Sequence, residues 1–130
     1  MIALLLLACG STPQPPQPRF VSLSPALTET LIALDAADQL AARSDWCPAP
    51  PAHPELITVG TSLTPDLERI AGLGPVTLLV DGSAGAALDL LRPLGPLEVL
   101  PWLTTDDVVA STRRLGALTG RDDPSAHFER

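Results

Sequence analysis

The pentapeptide Asp81-Gly82-Ser83-Ala84-Gly85 comes within one residue of a nucleophile elbow, Gly-x-Ser-x-Gly, the turn that lifts a serine hydroxyl above a sheet to attack a carbonyl. Asp81 takes the first glycine position, and neither histidine is placed as its base. His53 lies in a Pro-rich loop and His127 close to the last residue. A flexible loop at a strand's carboxyl end is the simpler reading, with an exported Ser hydrolase using Ser83 as its rival. Asp45, Cys47 and His53 carry metal-ligating atoms, but their spacing matches no standard zinc pattern and a stiff Pro-rich stretch separates them. No phosphate loop and no Gly-x-Gly-x-x-Gly follows any strand, so neither a resident metal nor a catalytic cofactor is expected. Trp46 follows a probable strand and precedes a Pro-locked loop, a place from which an indole can stack on a large flat ligand or cap the core. Trp102 has the same two readings. Glu29 and Glu68 sit near helix starts, where they complement the dipole or, if exposed, offer a docking anion to an arginine on a partner.

The elements that must position these residues alternate between strand and helix patterns, which predicts an α/β lobe with a mostly parallel, Rossmann-like central sheet flanked by helices. Phe20-Val21-Ser22-Leu23 reads as a buried strand that runs into Ser24-Pro25, a capped helix start, with Leu27, Leu31 and Leu34 as its apolar stripe. A strand leading directly into a helix aims N–H groups at the sheet edge where open α/β folds bind ligands. Leu40-Ala41-Ala42 is a second strand, ending at Arg43-Ser44-Asp45-Trp46-Cys47, and Pro48 to Pro54 form a rigid loop. Ile57-Thr58-Val59 reads as a short third strand. Thr64-Pro65-Asp66 reads as a second helix start with Leu67, Ile70 and Ala71 buried. Val76 to Val80 is a strand between Gly-Pro and Asp-Gly. A helix follows from about Gly85 to Arg92, then a strand at Leu97 to Leu100. Thr105 is expected to cap a helix carrying Val108, Val109, Leu115 and Leu118, with Gly120 as its stop. Asp123-Pro124 opens another helix, and since a domain rarely finishes in the first turn of one, truncation is expected.

Composition narrows the classes. Fifteen acidic residues against eight basic ones give a net charge of −7, which argues against nucleic acid as a partner. Two Trp, two Phe and no Tyr leave a core of Leu, Ala and Val. Lys and Asn are absent too, a bias that a GC-rich genome explains without function. At 130 residues the chain holds one domain with a respectable core, not two full ones. The opening apolar run, Met1 to Ala8, is shorter than the ~20 residues a membrane span needs, but it suits a secretory h-region. Leu6-Leu7-Ala8-Cys9 resembles a bacterial lipobox, so residues 1–9 read as a lipoprotein signal peptide with Cys9 lipidated. A basic n-region is missing, which suggests a start further upstream. Residues 10–18, rich in Pro, read as a semi-rigid tether. The expected location is exported, periplasmic or cell-surface, held to the membrane by a lipid anchor. Cys47, left without a partner, is expected to be buried and inert.

Several ordered motifs resemble the helical-backbone periplasmic binding proteins of ABC importers for cobalamin, haem and ferric siderophores. Arg19-Phe20-Val21-Ser22-Leu23-Ser24-Pro25 with Thr28-Glu29 is similar to that family's opening strand, R-[IV]-V-S-L-x-P-x-x-T-E. Ser44-Asp45-Trp46-Cys47 with Pro50-Pro51 is similar to its T-D-Y-C-x-x-P-P. Val59-Gly60, Pro65 and Leu67-Glu68-Arg69-Ile70 match V-G-x-x-x-x-P-x-L-E-R-I. Gly74-Pro75-Val76 departs from the family's K-P-D turn, lacking its Lys and Asp, while Leu94-Gly95 fits L-G-x-x-V.

The resemblance implies two α/β lobes joined by one long helix, with the ligand between them. Residues 19–122 would form the amino-terminal lobe and 123–130 the opening of the interlobe helix. It implies a substrate-binding lipoprotein, not an enzyme, that captures a metal chelate (ferric siderophore, haem or cobalamin) and delivers it to a membrane permease and its ATPase. Trp46 would stand where cobalamin binders place a cleft aromatic, and Glu68 where the family places the acid that docks onto permease arginines. Ser62 stands where cobalamin binders can carry a second aromatic. Ser24, Ser62, Leu63, Asp81, Gly82 and Trp102 would line the cleft, and Arg43 would pair with an anionic siderophore or a haem propionate. A free-standing scaffold lobe that binds nothing is the remaining alternative.

Overall fold

A computed structural model describes residues 19–121 of the chain. The sequence readings at Cys9, over the tether at 10–18 and over the helix opening at 123–130 lie outside the described residues. Four strands form an all-parallel sheet: β1 (Phe20–Ser22), β2 (Leu40–Arg43), β3 (Thr77–Val80) and β4 (Leu97–Val99). Their order across the sheet is β2-β1-β3-β4. Helices α1 (Pro25–Ala33), α2 (Leu67–Ala71) and α3 (Ala87–Leu91) lie in the three crossings, and α4 (Thr105–Thr119) follows β4. This is the α/β lobe expected, and no helix among the described residues is long and apolar enough to cross a membrane.

Side chains of a strand alternate between the two faces, so a strand buried on both sides must be apolar throughout. Leu78 and Val80 of β3 join one apolar cluster, with Val21 and Leu23, against Ile70 of α2 and Ala87 and Leu91 of α3. Leu79 and Phe20 point to the other, against Leu27 and Leu31 of α1 and Leu115 of α4. The central strands β1 and β3 thus lie between two helical layers. Each fully buried Leu contributes about 1.5–3 kcal/mol relative to exposure.

Several boundaries differ from the sequence reading for local reasons. The strand expected at Ile57 to Val59 is reduced to a single parallel bridge between Thr58 and Arg43, with Val59 N–H bonded to the Arg43 carbonyl. Thr64 does not start α2. It is held in a turn by Thr61, whose hydroxyl accepts from the Thr64 amide at 3.0 Å, and Asp66 caps the helix by accepting from the Arg69 amide at 3.0 Å. Ala71, expected in the buried stripe, is exposed. Thr104, not Thr105, caps α4. Only Thr104 has a reciprocating acid three residues on: its hydroxyl accepts from the Asp107 amide at 3.0 Å, and the Asp107 carboxylate accepts from the Thr104 amide at 3.1 Å. From Thr105 the third residue is Val108, which cannot reciprocate. Gly120, with φ of 67°, closes α4 as expected.

Truncation in the core and at the surface should cost unequally. Leu31→Ala and Leu79→Ala, each removing a fully buried side chain, are expected to lower unfolding free energy by about 2–5 kcal/mol in urea titrations. Leu63→Ala, at a side chain 62% exposed, should change it by less than about 0.5 kcal/mol.

Candidate ligand cleft at the carboxyl edge of the sheet

In this strand order the chain leaves β1 toward one side and later returns to pair β3 on the other. The crevice outside the carboxyl ends of β1 and β3 is therefore a topological switch point, where parallel sheets bind ligands. The loops that follow all four strands open on this edge. They carry Ser24 after β1, Asp45 and Trp46 after β2, Asp81 and Gly82 after β3, and Trp102 after β4.

A side-chain bond closes the floor of the crevice. The Ser24 hydroxyl donates to Asp81 Oδ2 at 2.6 Å, across the gap between β1 and β3. The other oxygen, Oδ1, accepts from the Ser83 amide at 3.0 Å. Burial on its own would raise the Asp81 pKa, but the hydrogen bonds from Ser24 and Ser83 outweigh it, so the carboxyl is held below its ordinary value and is ionised at neutral pH. This overturns one sequence expectation. Ser24 occupies the N-cap position of α1, yet its side chain makes no cap bond to the helix amides. The hydroxyl proton is turned to a carboxylate instead, the stronger, charge-assisted partner.

Beneath the β2 loop lies a buried polar cluster. The Ser22 carbonyl accepts from the Ser44 amide at 2.9 Å and from the Cys47 thiol at 3.6 Å, and Ser44 Oγ lies 3.0 Å from Cys47 Sγ. Thr28 of α1 donates to Ser22 Oγ at 2.8 Å, which donates on to the Ser24 carbonyl at 3.1 Å. Cys47 is buried, as expected, with no disulfide partner among the described residues, and its thiol helps seat the loop. Above it Trp46 is 62% exposed, which excludes the core-capping reading: the indole stands out from the core at the edge.

Arg43 does something other than expected. Its Nη1 donates to the Cys47 carbonyl at 2.8 Å and its Nε to the Leu56 carbonyl at 3.2 Å, so the guanidinium ties together both ends of the Pro-rich loop. It is a clamp on the segment carrying Trp46, not a free cation offered to a ligand.

The remaining candidates divide. Leu63 is 62% exposed, while its neighbour Ser62 is buried in the same loop. Gly82 has φ of 96°, a left-handed turn that only glycine enters without strain. Trp102 is half-buried and packs against the cluster formed by α1 and α4. Leu103, next to it, is 94% exposed and was not anticipated. Its signal was an apolar residue stranded between a strand end and a helix cap, with no element to bury it. Glu68 is exposed on the first turn of α2 and has no ion-pair partner among the described residues. Asp45, Cys47 and His53 do not gather: among the described residues no three His, Cys, Asp or Glu form a metal-sized group. Ser83 is exposed, and His53 follows the edge strand β2, separated from the β3 loop by β1.

The family model for periplasmic binding proteins matches residues 20–120. The chain belongs to that family. Among solved structures, the periplasmic heme-binding protein HutB of Vibrio cholerae superposes with a TM-score of 0.74 at 25% identity, over 86% of this chain and 45% of its own. The vitamin B12-binding protein BtuF of Vibrio cholerae gives 0.69 at 26% identity, over 88% and 46%. The siderophore-binding protein FhuD of Vibrio cholerae, solved with Fe3+–Desferal, shares the fold with a TM-score of 0.69 at 22% identity, over 88% and 46%. The chain thus spans about half the length of these structures. No curated sequence matches it. The switch-point edge of this lobe is the one carrying Trp46 and the Ser24–Asp81 bond.

Because Asp81 titrates lower in the fold than in the unfolded chain, it stabilises the fold above its unfolded pKa, and that contribution is lost as pH falls through the folded one. Solvent screening of a partly exposed group keeps the effect to about 1 kcal/mol or less. The stability gap between the protein and Asp81→Asn should therefore narrow as denaturation is followed from neutral pH to below about pH 4. A gap constant over that range would mean that Asp81 titrates as an ordinary exposed acid.

Proposed function

We propose that this lobe forms one wall of the ligand cleft of an ABC importer's substrate-binding protein, which captures a metal chelate (a ferric siderophore, haem or cobalamin) and hands it to a membrane permease and its ATPase. The observation that carries the reading is the exposed indole of Trp46 on a loop clamped by Arg43 and seated by Cys47, at the switch-point edge of a lobe similar to heme and vitamin B12 binders. A large flat ligand gains from a rigid aromatic that needs no reordering on binding. Ser24, Leu63, Asp81 and Gly82 supply the rest of the wall in this reading, with Ser62 and Trp102 supporting its loops from partly or fully buried positions.

The same reading assigns the rest of the chain. The role is capture and release, with no catalytic residue. Cys9 carries a lipid anchor, residues 10–18 are the tether that holds the lobe off the membrane, and 123–130 open the helix to a facing lobe. Glu68, an exposed acid on α2 without an ion-pair partner among the described residues, docks on permease arginines.

Two variants separate capture from delivery. Titration with haem, cobalamin and ferric siderophores, followed by Trp fluorescence, should show quenching by at least one of them. Trp46→Ala should weaken that binding by about tenfold or more, the scale of one lost stacking anchor. Glu68→Arg should leave the affinity within about twofold while uptake in cells falls, since a charge at the rim acts on docking. Quenching by none of the chelates would overturn the proposal.

A further inference from the structure

The eight basic residues of the chain are all arginines, and the structure distributes them unevenly. Residues 44–66, 81–91 and 100–112, which hold the loops after β2, β3 and β4, contain none, nor does the segment after β1 from 22 to 42. Arg19 precedes β1 and bonds the Leu73 carbonyl. Arg121 follows α4 and pairs with Asp38 at 3.2 Å. Both lie at the amino edge of the sheet, away from the crevice. Arg114 pairs with Glu98 along β4 at 2.6 Å, and Arg69 of α2 bonds the Thr58 carbonyl. Arg43, the one nearest the crevice, spends its guanidinium on two carbonyls. Asp45, Asp81, Asp106 and Asp107 all stand in the strand-end loops or in the first helical turn that follows them.

Helix N-termini at this edge would ordinarily attract anions. Carboxylates stand beside three of them. Asp81 accepts from the hydroxyl of Ser24, the N-cap residue of α1, Asp89 lies in the first turn of α3, and Asp106 and Asp107 occupy the first turn of α4.

We infer that this wall of the cleft selects a chelate whose contacting face is neutral or cationic, and that it disfavours polyanionic chelates. The inference rests on the chelate-binding reading above and adds the charge class of its ligand. Asp81, fixed by Ser24 at the crevice floor, and exposed Asp45 beside Trp46 are the residues that set it. A cationic group meeting them replaces hydration with a preorganised carboxylate, whereas carboxylate or catecholate groups meet like charge with no cation to offset it.

A matched ligand series tests this. The ferric complex of desferrioxamine B is cationic through its free amine; its N-acetyl derivative is neutral and its N-succinyl derivative anionic, on the same metal core. Affinities measured by Trp fluorescence at low ionic strength should fall from the cationic to the anionic member by about tenfold, with the difference narrowing in salt. Asp45→Asn, at an exposed side chain whose loss does not threaten folding, and Asp81→Asn should each compress that spread. Binding of cobalamin, with none of the anionic chelates bound, also supports the inference. Equal affinities across the series, or tighter binding of the anionic member, overturn it while leaving chelate capture intact. So does tight binding of haem or of a ferric tris-catecholate without the trihydroxamates. Silence from every chelate removes the underlying reading and this inference together.

Discussion

The structure depends on one short strand being hydrogen-bonded on both sides. β1 has only three residues, yet Phe20, Val21 and Ser22 pair in parallel with β2 on one flank and β3 on the other. Every backbone group there is buried and must find a partner, so the register is strongly specified. The ladder runs on past the strand ends, with Leu23 N–H bonded to the Leu79 carbonyl and Ser44 N–H to the Ser22 carbonyl. It finishes in the Ser24–Asp81 bond. Core packing and crevice geometry are therefore continuous: the apolar residues that lock β1 also set where Ser24 meets Asp81.

Local signals in the sequence suffice for most of the elements, but not for the segment Ile57 to Val59, which forms only a bridge. Val76 to Val80 reads as a strand because a doubly buried strand must be apolar on both faces, and α4 reads as a helix from its stripe and its closing glycine. Errors arose where two residues of one type competed or where a loop held a side chain. Thr104 and Thr105 are chemically equivalent caps until the acid three residues on is taken into account. Thr64 looked like a helix start until its partner Thr61 drew it into a turn. The site was harder to read. Nothing near Ser24 announces that its hydroxyl turns to a carboxylate 57 residues away. Likewise the Arg43 guanidinium is committed to carbonyls that only the folded loop brings within reach. For Trp46 the sequence allows an outward indole or a core cap, and only its exposure in the fold excludes the cap.

Rigidity and adhesion are kept apart at this edge. The β2 loop is made stiff by its prolines, by the Arg43 clamp and by Cys47 beneath it, so the aromatic it presents pays little ordering cost. Of the apolar side chains that reach solvent there, Trp46 follows Asp45 and Leu103 has its amide bonded to the Asp107 carboxylate. In the proposed role, area burial would supply affinity and charge would sort ligands. The opposite edge of the sheet, with its Arg–Asp pair between Arg121 and Asp38, has the character of a structural seam.

The most direct test of the central claim, that the carboxyl edge of this sheet is a ligand wall, is amide NMR of the protein with a ferric chelate, whose paramagnetism broadens nearby signals. The account expects broadening at Ser24, Trp46, Leu63, Gly82 and Leu103, with Arg19, Asp38 and Arg121 at the far edge unaffected. Broadening centred on the far edge, or on the outer faces of α2 and α3, would contradict it.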